Sequence, residues 1–229
     1  MAEPVERVDI AGKLRTLVEA EHLKRYVWAA SQASGSILDV ACGTGYGSAL
    51  LARSGTVSGL DKDAGALALA RQRTPAGYFR ECVLPSIPFA TATFDAVVTF
   101  ETIEHIEDDS TYIAEIRRVL KPRGTLLIST PNAAVSSPDR QPSNPFHIRE
   151  YTLDEFRALL GEFGNVEVFM QGAVRHDIPA RIAQRVKARF PQLARPSILW
   201  DRFAYSDGSV ETWAGEAPWY WLLRATRVD

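Results

Sequence analysis

Two groups of residues in this chain have the types and the spacing to do chemistry. The first lies in the run Phe100-Glu101-Thr102-Ile103-Glu104-His105-Ile106-Glu107-Asp108. If that run is helical, Glu101, Glu104 and His105 sit at i, i+3 and i+4 and share one face. Two carboxylates and an imidazole opening into a cleft form part of a site for a hard divalent cation. A capped helix with solvated acids has the same spacing. The second group is a turn of small residues, Ala41-x-Gly43-x-Gly45-x-Gly47, followed by Asp61. Small residues let the backbone turn sharply and approach a ligand, and the helix start that follows offers N–H groups to a nucleotide-like molecule. The dinucleotide fingerprint has another spacing, which weakens a plain nicotinamide reading. Asp61 is placed to accept hydrogen bonds from both hydroxyls of a ribose; a helix N-cap is its structural alternative, and Asp63 could equally supply that cap.

The elements that must position these residues alternate in type. Residues 37–40, 56–61, 78–81, 94–100 and 125–129 read as strands, with helices at 46–51, 64–73 and 110–120 and a turn at 121–124. Such alternation predicts a doubly wound parallel sheet with ligands at the carboxyl ends of its strands. One or two helices fall within 14–30, another covers 153–160, and 165–170 and 218–226 read as two further strands.

The stretch Ile37-Leu38-Asp39-Val40-Ala41-Cys42-Gly43-Thr44-Gly45-Tyr46-Gly47 resembles the first motif of class I S-adenosylmethionine (SAM)-dependent methyltransferases, whose loop usually has Gly where Ala41 stands. The resemblance extends over about residues 14–170 and includes the turn Leu120-Lys121-Pro122-x-Gly124. It implies an α/β fold, a doubly wound Rossmann-like sheet of seven strands with the last inserted antiparallel, and SAM as cofactor. In many members a helix before the first strand closes over the methionine end, which implicates Arg25 and Tyr26. The family's adenine-binding Asp is replaced by Cys82-Val83, leaving the backbone of Cys82, Val83 and Leu84 to read the base. With Asp39, Ala41, Gly43, Gly45, Asp61 and Phe100, these make up the expected cofactor-binding set.

The combination of the Glu101 run with Asn144-Pro145-Phe146-His147-Ile148-Arg149-Glu150-Tyr151 resembles two metal-dependent branches of the superfamily. Small-RNA 3′-terminal 2′-O-methyltransferases and ubiquinone-biosynthesis O-methyltransferases carry Glu-x-x-Glu-His after the fourth strand, and the RNA enzymes add a later His. Carried over, the ligands of Mg²⁺ or another divalent cation are Glu101, Glu104, His105 and His147. Glu101, His105 and His147 are also the catalytic candidates, since either imidazole can act as a general base near neutral pH without metal. The later element is similar to that of enzymes associated with sugar and polysaccharide methylation, including the mycobacterial methylmannose type. The expected activity is O-methylation of a saccharide or glycoside. A catechol-like metabolite, an RNA 2′-hydroxyl, or a non-catalytic SAM-fold module are the alternatives.

A chain of 229 residues, 46% of them hydrophobic, can bury a core of its own and is expected to form one domain over 1–229. Residues 1–35 would form a helical cap, and the excursions 131–150 and 171–217 would form the acceptor pocket and its lid. The second excursion carries a basic helix at 179–190, the aromatics Trp200, Phe203, Tyr205 and Trp213, and His176 without motif support. A net charge of −2 argues against a nucleic-acid partner. Cys42 and Cys82 are the only cysteines, and no apolar run reaches a membrane-spanning length of about 18 residues, so a reduced, cytoplasmic protein without a membrane partner is expected. The expected partner is a small-molecule or oligosaccharide acceptor with adjacent hydroxyls; a homodimer is left open.

Overall fold

Strands rich in apolar residues without strict alternation should be covered on both faces, and the central strands here are. The computed structural model describes residues 17–172 and 217–229. Seven strands form one sheet: β1 (Gly35–Val40), β2 (Gly55–Asp61), β3 (Tyr78–Glu81), β4 (Phe94–Phe100), β5 (Leu120–Pro131), β6 (Phe163–Gln171) and β7 (Tyr220–Arg227). Their order is β3-β2-β1-β4-β5-β7-β6. β7 runs antiparallel between β5 and β6, as the resemblance implies. The helices are α1 (Leu17–Gln32), α2 (Tyr46–Leu51), α3 (Ala64–Arg73), α4 (Asp109–Val119), α5 (Ala133–Ser136) and α6 (Leu153–Leu159).

Successive side chains of a strand point to opposite faces, and β4 divides its residues accordingly. Ala96, Val98 and Phe100 pack with Trp28 of α1, Leu51 of α2 and Leu222 of β7. Val97 packs on the other side with Ile116 of α4, Phe156 of α6 and Trp221 of β7. The sheet therefore lies between a layer containing α1 and α2 and a layer containing α4 and α6. β1 pairs in parallel with β2 on one side and β4 on the other, so the strand order reverses there. A doubly wound sheet opens a crevice at such a reversal, beyond the carboxyl ends of the strands.

Residues 121–124, read from sequence as a turn, lie inside β5. Leu120 pairs with Phe94 but Thr125 pairs with Ala96, so the turn is absorbed as a bulge, with Arg123 at φ 65°. The basic helix at 179–190, His176, and the aromatics Trp200, Phe203, Tyr205 and Trp213 fall outside the described residues. Among the described residues no helix is long and apolar enough to cross a membrane.

Candidate active site

At the end of β1 the chain turns through Ala41, Gly43 and Gly45, with φ of 58°, 53° and 77°. For a residue with a Cβ this left-handed geometry costs about 1–2 kcal/mol, a cost that Ala41 carries and a glycine would not. The two glycines serve different ends. A Cβ on Gly45 would fall 2.6 Å from Ala70, so its smallness lets α3 pack; a Cβ on Gly43 would meet nothing within 4 Å, so its backbone stands open. Asp61 fastens this loop. Its Oδ2 accepts from the Gly43 N–H at 2.8 Å and its Oδ1 from the Asp63 N–H at 2.9 Å. Asp63, not Asp61, caps α3 by accepting from Ala66 N–H at 2.9 Å. Each carboxylate oxygen has a second lone pair, so Asp61 can still receive a ligand hydroxyl.

A cavity of about 680 Å³ opens beyond the strand ends, within the usual range for small-molecule sites. Tyr26, Ala41, Gly43, Asp61, Cys82, Val83 and Phe100 line one part of it, and Glu101, Glu104, His105 and His147 line another. Three expected cofactor residues are not in its lining: Arg25, Asp39 and Gly45. Asp39 is fully buried instead. It accepts from Tyr26 Oη at 3.0 Å and Ser48 Oγ at 2.5 Å, which ties α1 to α2 beneath the loop. Burial pushes its pKa up to about 7, against the opposing pull of those two hydrogen bonds.

Arg25 is also fully buried, with Nη1 3.2 Å from Glu101 Oε1 and its guanidinium 4.3 Å over the Tyr220 ring. Among the described residues none of its three side-chain nitrogens finds a hydrogen-bond partner. Burial opposes its charge, but Glu101, Tyr220 and Glu21 outweigh that and raise its pKa. Nearby His22 lines the cavity and is held neutral by burial and by the Arg25 charge.

The helical reading of the Glu101 run is corrected by the structure. Only Ile103–His105 forms a helix, a single 3-10 turn, and Glu101 precedes it at φ 51°. The Glu101 N–H donates to Ser129 O at 3.3 Å, which holds this residue to β5 and prevents a helix from starting there. Its carboxylate accepts from Ser129 Oγ at 2.7 Å and faces Arg25. Glu101 thus stands apart from the expected ligand set. The remaining three do converge: ligand atoms of Glu104, His105 and His147 all lie within 4.8 Å of one another.

Glu104 is fully buried; its Oε2 accepts from Thr130 Oγ1 at 3.1 Å, and its Oε1 makes no hydrogen bond among the described residues. Burial, and then the charge of Glu101, push its pKa well above the ordinary carboxylate range. His105 Nδ1 lies 2.8 Å from Phe146 O, and the two imidazoles meet edge to face with centroids 4.9 Å apart. His147 arrives on residues 144–150, which are already attached to the 3-10 turn. Ile148 N–H and Arg149 N–H both donate to Glu104 O, at 2.8 and 3.4 Å, and the Arg149 guanidinium pairs with Asp109 at 2.8 Å. These contacts hold the segment that carries His147 against the 3-10 turn that carries Glu104 and His105.

A buried carboxylate with one oxygen lacking a donor among the described residues, beside two imidazoles, fits a divalent cation; a pair of nitrogen ligands favours a transition metal, borderline Zn²⁺ or the harder Mn²⁺, over Mg²⁺. Sequence reasoning gave no role to Glu150, whose Oε1 lies 2.7 Å from His147 Nδ1. The spacing i, i+3 between His147 and Glu150 was the available clue.

The family model described as a methyltransferase domain matches residues 38–128. A probable S-adenosylmethionine-dependent methyltransferase of Mycolicibacterium smegmatis is 36% identical over 178 residues, covering 75% of this chain and 69% of the relative. One from Mycobacterium tuberculosis is 41% identical over 138 residues, 59% of this chain, and the match spans only 50% of that relative's length. Among solved structures, a SAM-dependent methyltransferase of Thermotoga maritima, described as a possible histamine N-methyltransferase, superimposes with a TM-score of 0.65. It covers 92% of this chain and 91% of its own at 16% identity, a likeness of fold alone. With a seven-stranded sheet of this order and a relative of that identity and coverage, the chain belongs to the class I S-adenosylmethionine-dependent methyltransferases.

Proposed function

We propose that this protein transfers the methyl group of SAM to a hydroxyl of a saccharide or glycoside that presents adjacent hydroxyls, assisted by a divalent cation held by Glu104, His105 and His147. The observation that carries this reading is the buried Glu104, whose Oε1 makes no hydrogen bond among the described residues and whose carboxylate has an oxygen within 4.8 Å of ligand nitrogens of two imidazoles. An unsatisfied buried acceptor costs about 1–3 kcal/mol, a cost that is recovered when a ligand arrives. The bound cation would supply acidity to the acceptor hydroxyl and fix its orientation.

The chain's own residues do the rest. Asp61 and the open backbone at Gly43 receive the ribose and its flanking atoms, and Cys82, Val83 and Leu84 border the base. The Arg25–Glu101 pair offers one charge of each sign beside the cavity, complementary to the zwitterionic methionine end of SAM. Phe146 and Trp219, both partly exposed at the cavity wall, give apolar faces on which a sugar ring can stack.

A metal-free variant of this mechanism is favoured by the His147–Glu150 contact. There His147 Nε2 takes the hydroxyl proton while the oxygen attacks the methyl carbon and the sulfonium leaves as a neutral thioether. A methylation screen over glycans, catechols and RNA, run with and without EDTA, tests the acceptor and separates the two variants. Turnover of glycans that EDTA abolishes supports the cation; turnover that survives exhaustive chelation removes it and leaves the base. Methylation confined to catechols or RNA overturns the saccharide reading. Asp61→Ala should weaken SAM binding by about 1–3 kcal/mol in calorimetry, and unchanged binding would remove Asp61 from the cofactor site.

A further inference from the structure

We infer that Glu150 is the positioning residue of this site: it holds His147 with its proton on Nδ1 and so leaves Nε2 as the nitrogen that carries a lone pair. This rests on the reading of Glu104, His105 and His147 as cation ligands, because an imidazole coordinates only through a nitrogen that carries no proton.

Two independent contacts assign the same tautomer. On one side of the ring, His147 Nδ1 lies 2.7 Å from Glu150 Oε1, and a carboxylate accepts. On the other side, His147 Nε2 lies 3.0 Å from Asn144 Nδ2. The orientation of that amide is fixed by its own oxygen, which accepts from the Phe146 N–H at 3.1 Å. An amide N–H facing Nε2 requires a lone pair there, and a cation that takes this lone pair displaces the Asn144 amide from it. His105 repeats the pattern, since its Nδ1 faces a carbonyl, Phe146 O, that can only accept. In both imidazoles Nε2 is therefore the nitrogen that carries the lone pair.

Glu150 is itself anchored. It is 5% exposed, and its second oxygen is hydrogen-bonded to Ser136 Oγ, which also lies 2.9 Å from Asn132 O and shares its one proton between these two acceptors. The carboxylate thus connects α5 to the segment that carries His147. Partners of this kind behind a metal-binding histidine fix the ring and its tautomer. A glutamine at 150 would reproduce the contacts: its oxygen can accept from Nδ1 and its amide can donate to Ser136 Oγ. A methionine would fill the space and accept nothing useful.

The test compares the full chain as wild type, Glu150→Gln and Glu150→Met by three measurements. Calorimetry with SAM checks that each variant is folded, nitrogen NMR of the imidazoles reads the tautomer, and calorimetry with Mn²⁺ reads the cation site. Expected are a single Nδ1–H tautomer for His147 in the wild type and Glu150→Gln, a mixture in Glu150→Met, and Mn²⁺ affinity lowered about 10–100-fold in Glu150→Met alone. A His147 tautomer and Mn²⁺ affinity unchanged in Glu150→Met overturn the inference. So does an equal loss in both variants, which would mean that charge and not orientation matters. A wild type that binds no Mn²⁺ overturns the cation reading instead, while the tautomer measurement still decides the role of Glu150.

Discussion

The two walls of the cavity treat their carboxylates differently. On the β1–β2 side both are used by the protein itself: Asp61 in the lining takes hydrogen bonds from two backbone N–H groups, and Asp39, buried behind it, takes them from Tyr26 and Ser48. On the facing wall Glu104 has one buried oxygen without a hydrogen bond, and Glu101 is held in a left-handed backbone with its charge on a buried arginine. Folding ordinarily eliminates such arrangements, because a buried unsatisfied oxygen and a strained backbone each cost on the order of 1–3 kcal/mol. On the function proposed above, their concentration on one wall is where a ligand would complete the structure. The other wall is finished before any ligand arrives.

The sharpest way to break this contrast is Glu104→Gln, which keeps the shape and removes the charge. Methyl transfer should fall by about 100-fold or more, since stabilisation by a bound cation is worth several kcal/mol. SAM affinity should hardly change, because the cofactor wall does not depend on Glu104. Initial rates beside SAM calorimetry would check both. A variant that turns over like the wild type would make the orphaned oxygen a mere packing defect and the two walls equivalent.

The contrast also explains what could be read from the sequence. The apolar runs at β1, β4 and β5 and the carboxylate ending β2 announce themselves, because local pattern suffices to bury a parallel strand. Spacing could not tell ligand contact from packing, so Asp39 and Gly45 were expected at the cofactor although one is tied to Tyr26 and Ser48 and the other abuts Ala70. Glu101 was expected on a helical face. Its conformation is instead decided by Ser129, a residue on another strand, which no local pattern contains. The meeting of His147 with Glu104 likewise depends on backbone hydrogen bonds from Ile148 and Arg149, and was reachable from sequence only through the family resemblance.

A second prediction concerns the finished wall and follows from the acidity of Asp39. Its folded-state pKa of about 7 lies above the ordinary value of 3.8, so folding takes up a proton between those values. The protonated form's stability is fully present below about pH 4 and is lost as pH rises through about 7, at up to about 1.4 kcal/mol per pH unit. Asp39→Asn cannot ionise and should remove that part of the slope in denaturant midpoints measured from pH 4 to 8. Parallel curves for the two proteins would mean that Tyr26 and Ser48 stabilise the ionised carboxylate better than burial opposes it.

The smallest effect expected is at Ala41, and it asks whether the finished wall is entirely relaxed. With φ at 58°, Ala41 occupies the left-handed region in which its Cβ crowds the backbone, at about 1–2 kcal/mol. Ala41→Gly removes that crowding but adds freedom to the unfolded chain, which returns about 0.4–1 kcal/mol. The balance favours the variant by about 1.6 kcal/mol at most, or roughly 3–6 °C in thermal midpoint for a chain of this size. Ala41→Val should move the midpoint the other way, because a β-branched residue tolerates positive φ still less. Ala41 lines the cavity, so its methyl group occupies space that a glycine would give to the cofactor. A glycine variant that is more stable yet binds SAM less tightly would mean that this methyl makes contact with the cofactor. The strain would then be functional, and the cofactor wall would have the same character as the one opposite, on a smaller scale. A glycine variant less stable than the wild type would instead show that contacts of the Ala41 methyl outweigh its backbone strain.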